Sequence, residues 1–241
     1  MKNNALKNLC IILLYLAAFS ASLFPIFKDG VGIFKIIYSL ISLIAAYFLS
    51  ALFHEGFHAL SAKILGFEVV GFSFLFFDFD KTKDKKFGLR FSPYLGETNV
   101  IPKRDGKLFE KLRFIVFSGV VGSLVCVCGL ALCYFLIKSE IRFLFVFWTV
   151  SAVLFLLNAL PYIIDGNDAT VFLALNKKRT ETENRLFTLY SLKNGKSYAE
   201  IDEKYFSENA DAFILRRAFE TENYALAEKI AGKEPPEIGE A

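Results

Sequence analysis

An α-helical integral membrane protein with about four transmembrane helices is the fold class this sequence predicts, joined by a membrane-associated β-hairpin and a small helical cytoplasmic tail. Three observations lead there. Of the 241 residues 54% are hydrophobic, Phe alone numbers 28, and only 22% are charged. Several apolar runs approach the roughly 20 residues that a helix needs to cross a bilayer. The charged residues gather in one loop and in the C-terminal stretch. A net charge of +3 is too small to imply a nucleic-acid partner, so the partner implied by composition is the lipid bilayer.

The spans are expected at about 9–27, 33–65, 112–137 and 143–164. Lys2 and Lys7 precede the first, and Pro25, Lys28, Asp29 and Gly30 close it. A signal peptide cut among Ser20, Ala21 and Ser22 is the alternative, but the apolar run continues to Phe27, which favours a retained span. The second run ends with Lys63 and Gly66, a basic last turn followed by a helix-stopping glycine. Next, Phe67 to Asp80 and Phe87 to Phe91 read as the two strands of a hairpin around the charged turn Asp80–Lys86. Ser92 to Gly106, with two prolines and two glycines, reads as irregular. Spans three and four then follow with a short polar connection. These segments form a membrane domain over 1–176; residues 177–241 read as a soluble helical tail, either a solvated appendage or a surface for partner docking. Cys10, Cys126, Cys128 and Cys133 all lie in apolar segments, where they are expected as small buried hydrophobes.

Within the second span stands His54-Glu55-Gly56-Phe57-His58, which holds both histidines of the chain. At about 100° per residue the two imidazoles stack one turn apart on a helix. Paired this way they can bind one Zn²⁺ and leave positions for a further ligand and a water, with Glu55 close enough to take that water's proton. An acidic side chain at mid-membrane costs roughly 2.5 kcal/mol or more, which argues against an idle role.

Orientation follows from positive charge. The loop between spans two and three holds ten Lys and Arg residues between Lys81 and Arg113, whereas the opposite loops hold only Lys28, Lys138 and Arg142. Both termini, that loop and the tail are therefore expected in the cytoplasm of a multi-pass cell-membrane protein. Spans two and four then both run inward, so Asp165 at the end of span four reaches the same side as the histidines and can complete a metal site.

The motif at 54–58 in a membrane helix, with Asn158-x-x-Pro161 and Asp165-Gly166 in a later one, resembles the site-2 protease family of zinc-dependent intramembrane proteases. The resemblance covers about residues 40–175 and takes in Ala62–Phe67 and Phe117–Gly122. It implies His54, His58 and Asp165 as zinc ligands, Glu55 as the catalytic glutamate and Asn158 as a polar residue near the catalytic centre. It also implies a hairpin that offers an edge strand to a membrane-inserted protein or peptide substrate. Pro161 and Asp165 stand one residue closer than in the commoner family pattern, which makes Asp168 the alternative ligand. The contrasting expectation is a non-enzymatic zinc-binding membrane protein, a transporter or an inactive scaffold. Spans one and three hold almost no polar residues for transport, and Glu55 is retained.

Overall fold

A computed structural model of the chain describes residues 32–74, 77–81, 87–89, 96–137, 142–163 and 166–205, with a few helical positions between 12 and 20. Most of the expected first span and residues 206–241 of the tail lie outside the described residues.

The described part is mostly helical. Helix α1 (Ile33–Ile64) and helix α2 (Leu108–Ile137) are both long and apolar enough to cross a membrane. At 1.5 Å per residue, the 32 residues of α1 extend about 48 Å, more than the roughly 30 Å of a hydrocarbon core. It stops where expected: the Leu65 amide bonds the Ser61 carbonyl oxygen, and Gly66 follows with a φ of 81°, a left-handed value that suits glycine. Helix α3 (Arg142–Ala159) is shorter than the span expected to reach residue 164. Pro161 lacks the amide hydrogen that would extend it, and Tyr162 has a φ of 66°, so the chain leaves the helix axis there.

These three helices pack into one bundle. Its centre is Ala46 of α1 against Val146, Val150, Leu154 and Leu157 of α3, with Cys126 and Leu130 of α2 alongside. Small polar residues sit inside: Ser50 Oγ lies 2.7 Å from Ser151 Oγ and also bonds the Ala46 carbonyl oxygen. Cys126 is partly buried near Ser151, whereas Cys128 and Cys133 are exposed rather than buried as expected, because they lie on the outward side of α2. Large apolar side chains are exposed along the outside, among them Phe34, Ile41, Ile44, Val125, Leu132 and Phe135. Serines buried within this apolar core, and large apolar side chains left on the outside, depart from the usual arrangement in water.

The expected pairing around the charged turn is present, Phe77–Asp80 against Phe87–Leu89, within a larger antiparallel sheet. Its four strands are β1 (Phe67–Phe74), β2 (Phe77–Asp80), β3 (Phe87–Leu89) and β4 (Gly96–Pro102), in the order β3-β2-β1-β4. Two expectations change. The run Phe67–Asp80 is two strands paired Phe72 with Phe79, not one. The stretch expected to be irregular supplies β4, which runs from Gly96 opposite Phe74 to Pro102 opposite Phe67. Glycine, polar residues and a terminal proline hide that strand in the sequence. Pairing with β1 satisfies the backbone groups along one side of β4 and leaves it an edge of the sheet.

Two further helices complete the described fold, α4 (Asp168–Lys177) and α5 (Arg179–Lys193), followed by a 3₁₀ turn at Glu203–Tyr205. Helix α5 belongs to the stretch expected as a soluble tail. Its Leu186 is buried with Ala62 of α1, Phe67 of β1, and Leu108 and Ile115 of α2. Lys193 reaches Glu68 of β1 at 2.8 Å.

Candidate metal centre

The helical stacking of His54 and His58 brings their ring centroids to 4.9 Å, nearly perpendicular. Both rings are buried against α2, where small residues let the helices approach. A Cβ on Gly122 would collide with the Phe57 ring, and one on Gly119 would collide with the His58 ring. The same helix orients the imidazoles. His58 Nδ1 lies 2.7 Å from the Ile115 carbonyl oxygen, which can only accept, so Nδ1 carries the proton and donates. His54 Nδ1 lies 2.8 Å from Ser123 Oγ, which can accept in the same way. With Ser123 accepting, both Nε2 atoms present lone pairs, the arrangement of metal-binding histidines held by outer partners.

The third group is Asp168, the first residue of α4. Its Oδ2 lies 3.1 Å from His54 Nε2 and 3.2 Å from His58 Nε2, and the two nitrogens are 3.3 Å apart. Despite these distances Asp168 Oδ2 is buried with no hydrogen bond of acceptable direction. Three lone pairs facing one another repel unless a cation lies between them. Ligands at about 2.0–2.1 Å from a tetrahedral zinc would stand about 3.3 Å from each other, so the separations fit. His54, His58 and Asp168 can therefore hold a metal ion.

Asn167 sets Asp168 in place. Its amide nitrogen donates to the carbonyl oxygens of Leu157 and Leu160 at 2.6 and 2.8 Å, catching the frayed end of α3. Its side-chain oxygen accepts from the Thr170 amide at 2.9 Å and caps α4. Helix α4 is held to α2 by the Phe172 ring, which packs on Phe117 and under the Arg113 guanidinium.

Glu55 is buried beside the cluster. Thr98 Oγ1 of β4 donates to its Oε2 at 2.6 Å, and Gly96 lies so near that a Cβ there would overlap the carboxylate. The sheet edge thus crosses directly over this glutamate.

The structure brings together His54, His58 and Glu55 as the sequence suggests, with Asp168 as the carboxylate. Asp165, the expected ligand, lies outside the described residues. Asn158 turns its amide back to the Leu154 carbonyl oxygen at 3.1 Å and makes no described hydrogen bond to the cluster. Sequence reasoning missed Thr98, Ser123 and Asn167. Only Asn167 carries a local signal, a capping residue directly before an apolar helical stretch. No family model matches the chain, nor does any curated protein or solved structure.

Proposed function

We propose that the chain is a membrane-embedded zinc endopeptidase that hydrolyses a peptide bond in or next to a membrane segment of its substrate. The observation behind this reading is the convergence of two imidazoles and an orphaned carboxylate oxygen, with a second carboxylate, Glu55, buried beside them under a sheet edge. The donor set suits zinc. The apolar outer surface of α1 and α2 suits a bilayer, with the first span and α3 completing four crossings and the basic loop in the cytoplasm.

Bound in this site, zinc would polarise the scissile carbonyl and lower the pKa of its water to about 7. The residues of the chain supply the rest. His54, His58 and Asp168 hold the ion, and Asn167 and Ser123 hold those ligands. Glu55 removes the proton of the attacking water as the new C–O bond forms, then delivers it to the leaving amine nitrogen as the C–N bond breaks. Thr98 keeps the Glu55 carboxylate turned to the site. β4 is the edge of the sheet that crosses Glu55, so an extended substrate can add beside it and pass over that carboxylate. An extended substrate also exposes the peptide bond that a helix would hide.

The test is hydrolysis of a membrane-anchored reporter by purified, metal-loaded protein. Wild type should cut it, and Glu55→Gln should bind metal but not cut. Cleavage that survives Glu55→Gln would overturn the proposal. Metal binding with no cleavage of any anchored reporter would favour a non-enzymatic zinc-binding protein.

A further inference from the structure

A cavity of about 680 Å³ lies between the last turns of α1 and one face of the sheet, apart from the metal cluster. Its floor is a row of rings. Phe72 pairs with Phe79 and Phe79 with Phe87 across three strands, and the last two rings stand 5.0 Å apart. All three line the cavity. Because side chains alternate along a strand, Phe79 facing inward turns Asp78 and Asp80 to the other face.

The charge at the cavity has one dominant sign. Lys63 comes from the last turn of α1, Lys81 directly follows β2, and Lys103 directly follows β4. Against these three ammonium groups, among the described residues, the lining holds a single carboxylate, Glu68. Glu68 is already engaged by Lys81 at 3.2 Å, Lys103 at 3.6 Å and Lys193 of α5 at 2.8 Å. On the other side, Leu60 of the lining and neighbouring Ile64 are exposed on the apolar flank of α1.

We infer that this cavity is a binding site for an anionic phospholipid, whose acyl chains lie on Leu60 and the phenylalanine row and whose phosphate lies among Lys63, Lys81 and Lys103. A basic pocket at the end of a membrane helix is suited to such a headgroup. Aromatic and aliphatic walls lead from it to the outer face of α1, which provides for the chains. A peptide strand fits less well: it would add along the backbone at an edge of the sheet, β3 or β4, whereas this cavity opens on the ring-lined face of β1, β2 and β3. The site does not depend on catalysis.

Purified full-length protein in non-ionic detergent, titrated with dioleoylphosphatidylglycerol or dioleoylphosphatidylcholine and read by native mass spectrometry, tests the inference. Wild type should bind the glycerol lipid at least tenfold more tightly than the choline lipid, since each lysine near a headgroup contributes roughly a fivefold factor. The triple variant Lys63→Gln/Lys81→Gln/Lys103→Gln should lose that preference, and Lys103→Gln alone, at a side chain 54% exposed, should weaken it by a few-fold. Lys177→Gln/Lys178→Gln/Lys196→Gln, on exposed positions elsewhere, should keep it. Equal binding of the two lipids to wild type, or an unchanged preference in the lysine variants, would overturn the inference. So would glycerol 3-phosphate competing as well as the whole lipid, or an acidic apolar peptide displacing the lipid at lower concentration.

Discussion

Gly119→Ala is the sharpest probe of the metal cluster, because it adds one methyl group where the ligands converge. A Cβ at this position would overlap His58 Nε2 and stand 2.7 Å from Asp168 Oδ2. Real Cβ contacts rarely fall below 3.0–3.4 Å, so the carboxylate alone must retreat by about 0.3–0.7 Å. Metal–ligand distances tolerate only about ±0.2 Å. Disturbing an outer partner of a ligand already costs 10–100-fold in metal affinity, and here two ligands are moved directly. We expect a loss of about 100-fold or more. Overpacking adds about 1–3 kcal/mol of destabilisation, more than the roughly 1 kcal/mol that replacing a helical glycine by alanine returns. Gly129→Ala on the same helix is the control, since nothing lies within 4 Å of its added Cβ. The assay is metal content of the purified variants by mass spectrometry, with competition against a chelator for affinity and a melting curve for stability. Gly129→Ala should match or slightly exceed wild type in stability and hold its metal. Wild-type metal affinity in Gly119→Ala would refute the convergence of ligands at this point.

Asp168→Asn should abolish metal binding and proteolysis while Asp165→Asn keeps its metal, read by metal analysis of both; the opposite order would return the ligand role to Asp165. Thr98→Val removes a hydrogen bond to a charged partner worth about 1.5–3 kcal/mol, so kcat should fall about 10–100-fold with KM little changed, and Thr98→Ser should restore it. A fall confined to KM would place Thr98 with substrate rather than with Glu55. The ammonium groups of Lys193 and Lys81 hold the Glu68 carboxyl down at about 2, against an ordinary value of 4.5. A carboxyl depressed by folding stabilises the fold fully above about pH 4.5 and loses that contribution as pH falls towards 2. The lysine side chains are about half exposed, and solvent screening limits the effect to about 1 kcal/mol, or roughly 2–4 °C in melting temperature. Wild type should melt above Glu68→Gln at pH 7 by that margin, with the gap closing by pH 2; a gap independent of pH would refute the ion cluster.

What the sequence determined by itself is whatever a single helix can express. The i, i+4 spacing of His54 and His58 stacks the rings in any helix that contains them, and the apolar runs around the motif mark α1 and α2 as long membrane-length helices. The stop at Lys63 and Gly66 is equally local. Tertiary structure decided the rest. Asp165 and Asp168 are both carboxylates near the end of α3, and composition does not separate them. Asp168 faces the imidazoles because Asn167 ties the end of α3 to the start of α4, while Asp165 lies outside the described residues. The β4 strand has no clear strand pattern of its own and exists as the partner of β1. Thr98 meets Glu55 across 43 positions of sequence and Ser123 meets His54 across 69. Such contacts leave no periodicity to read. They form only when the whole chain packs, and it is the packing of α2, α4 and β4 around one turn of α1 that makes a motif into a site.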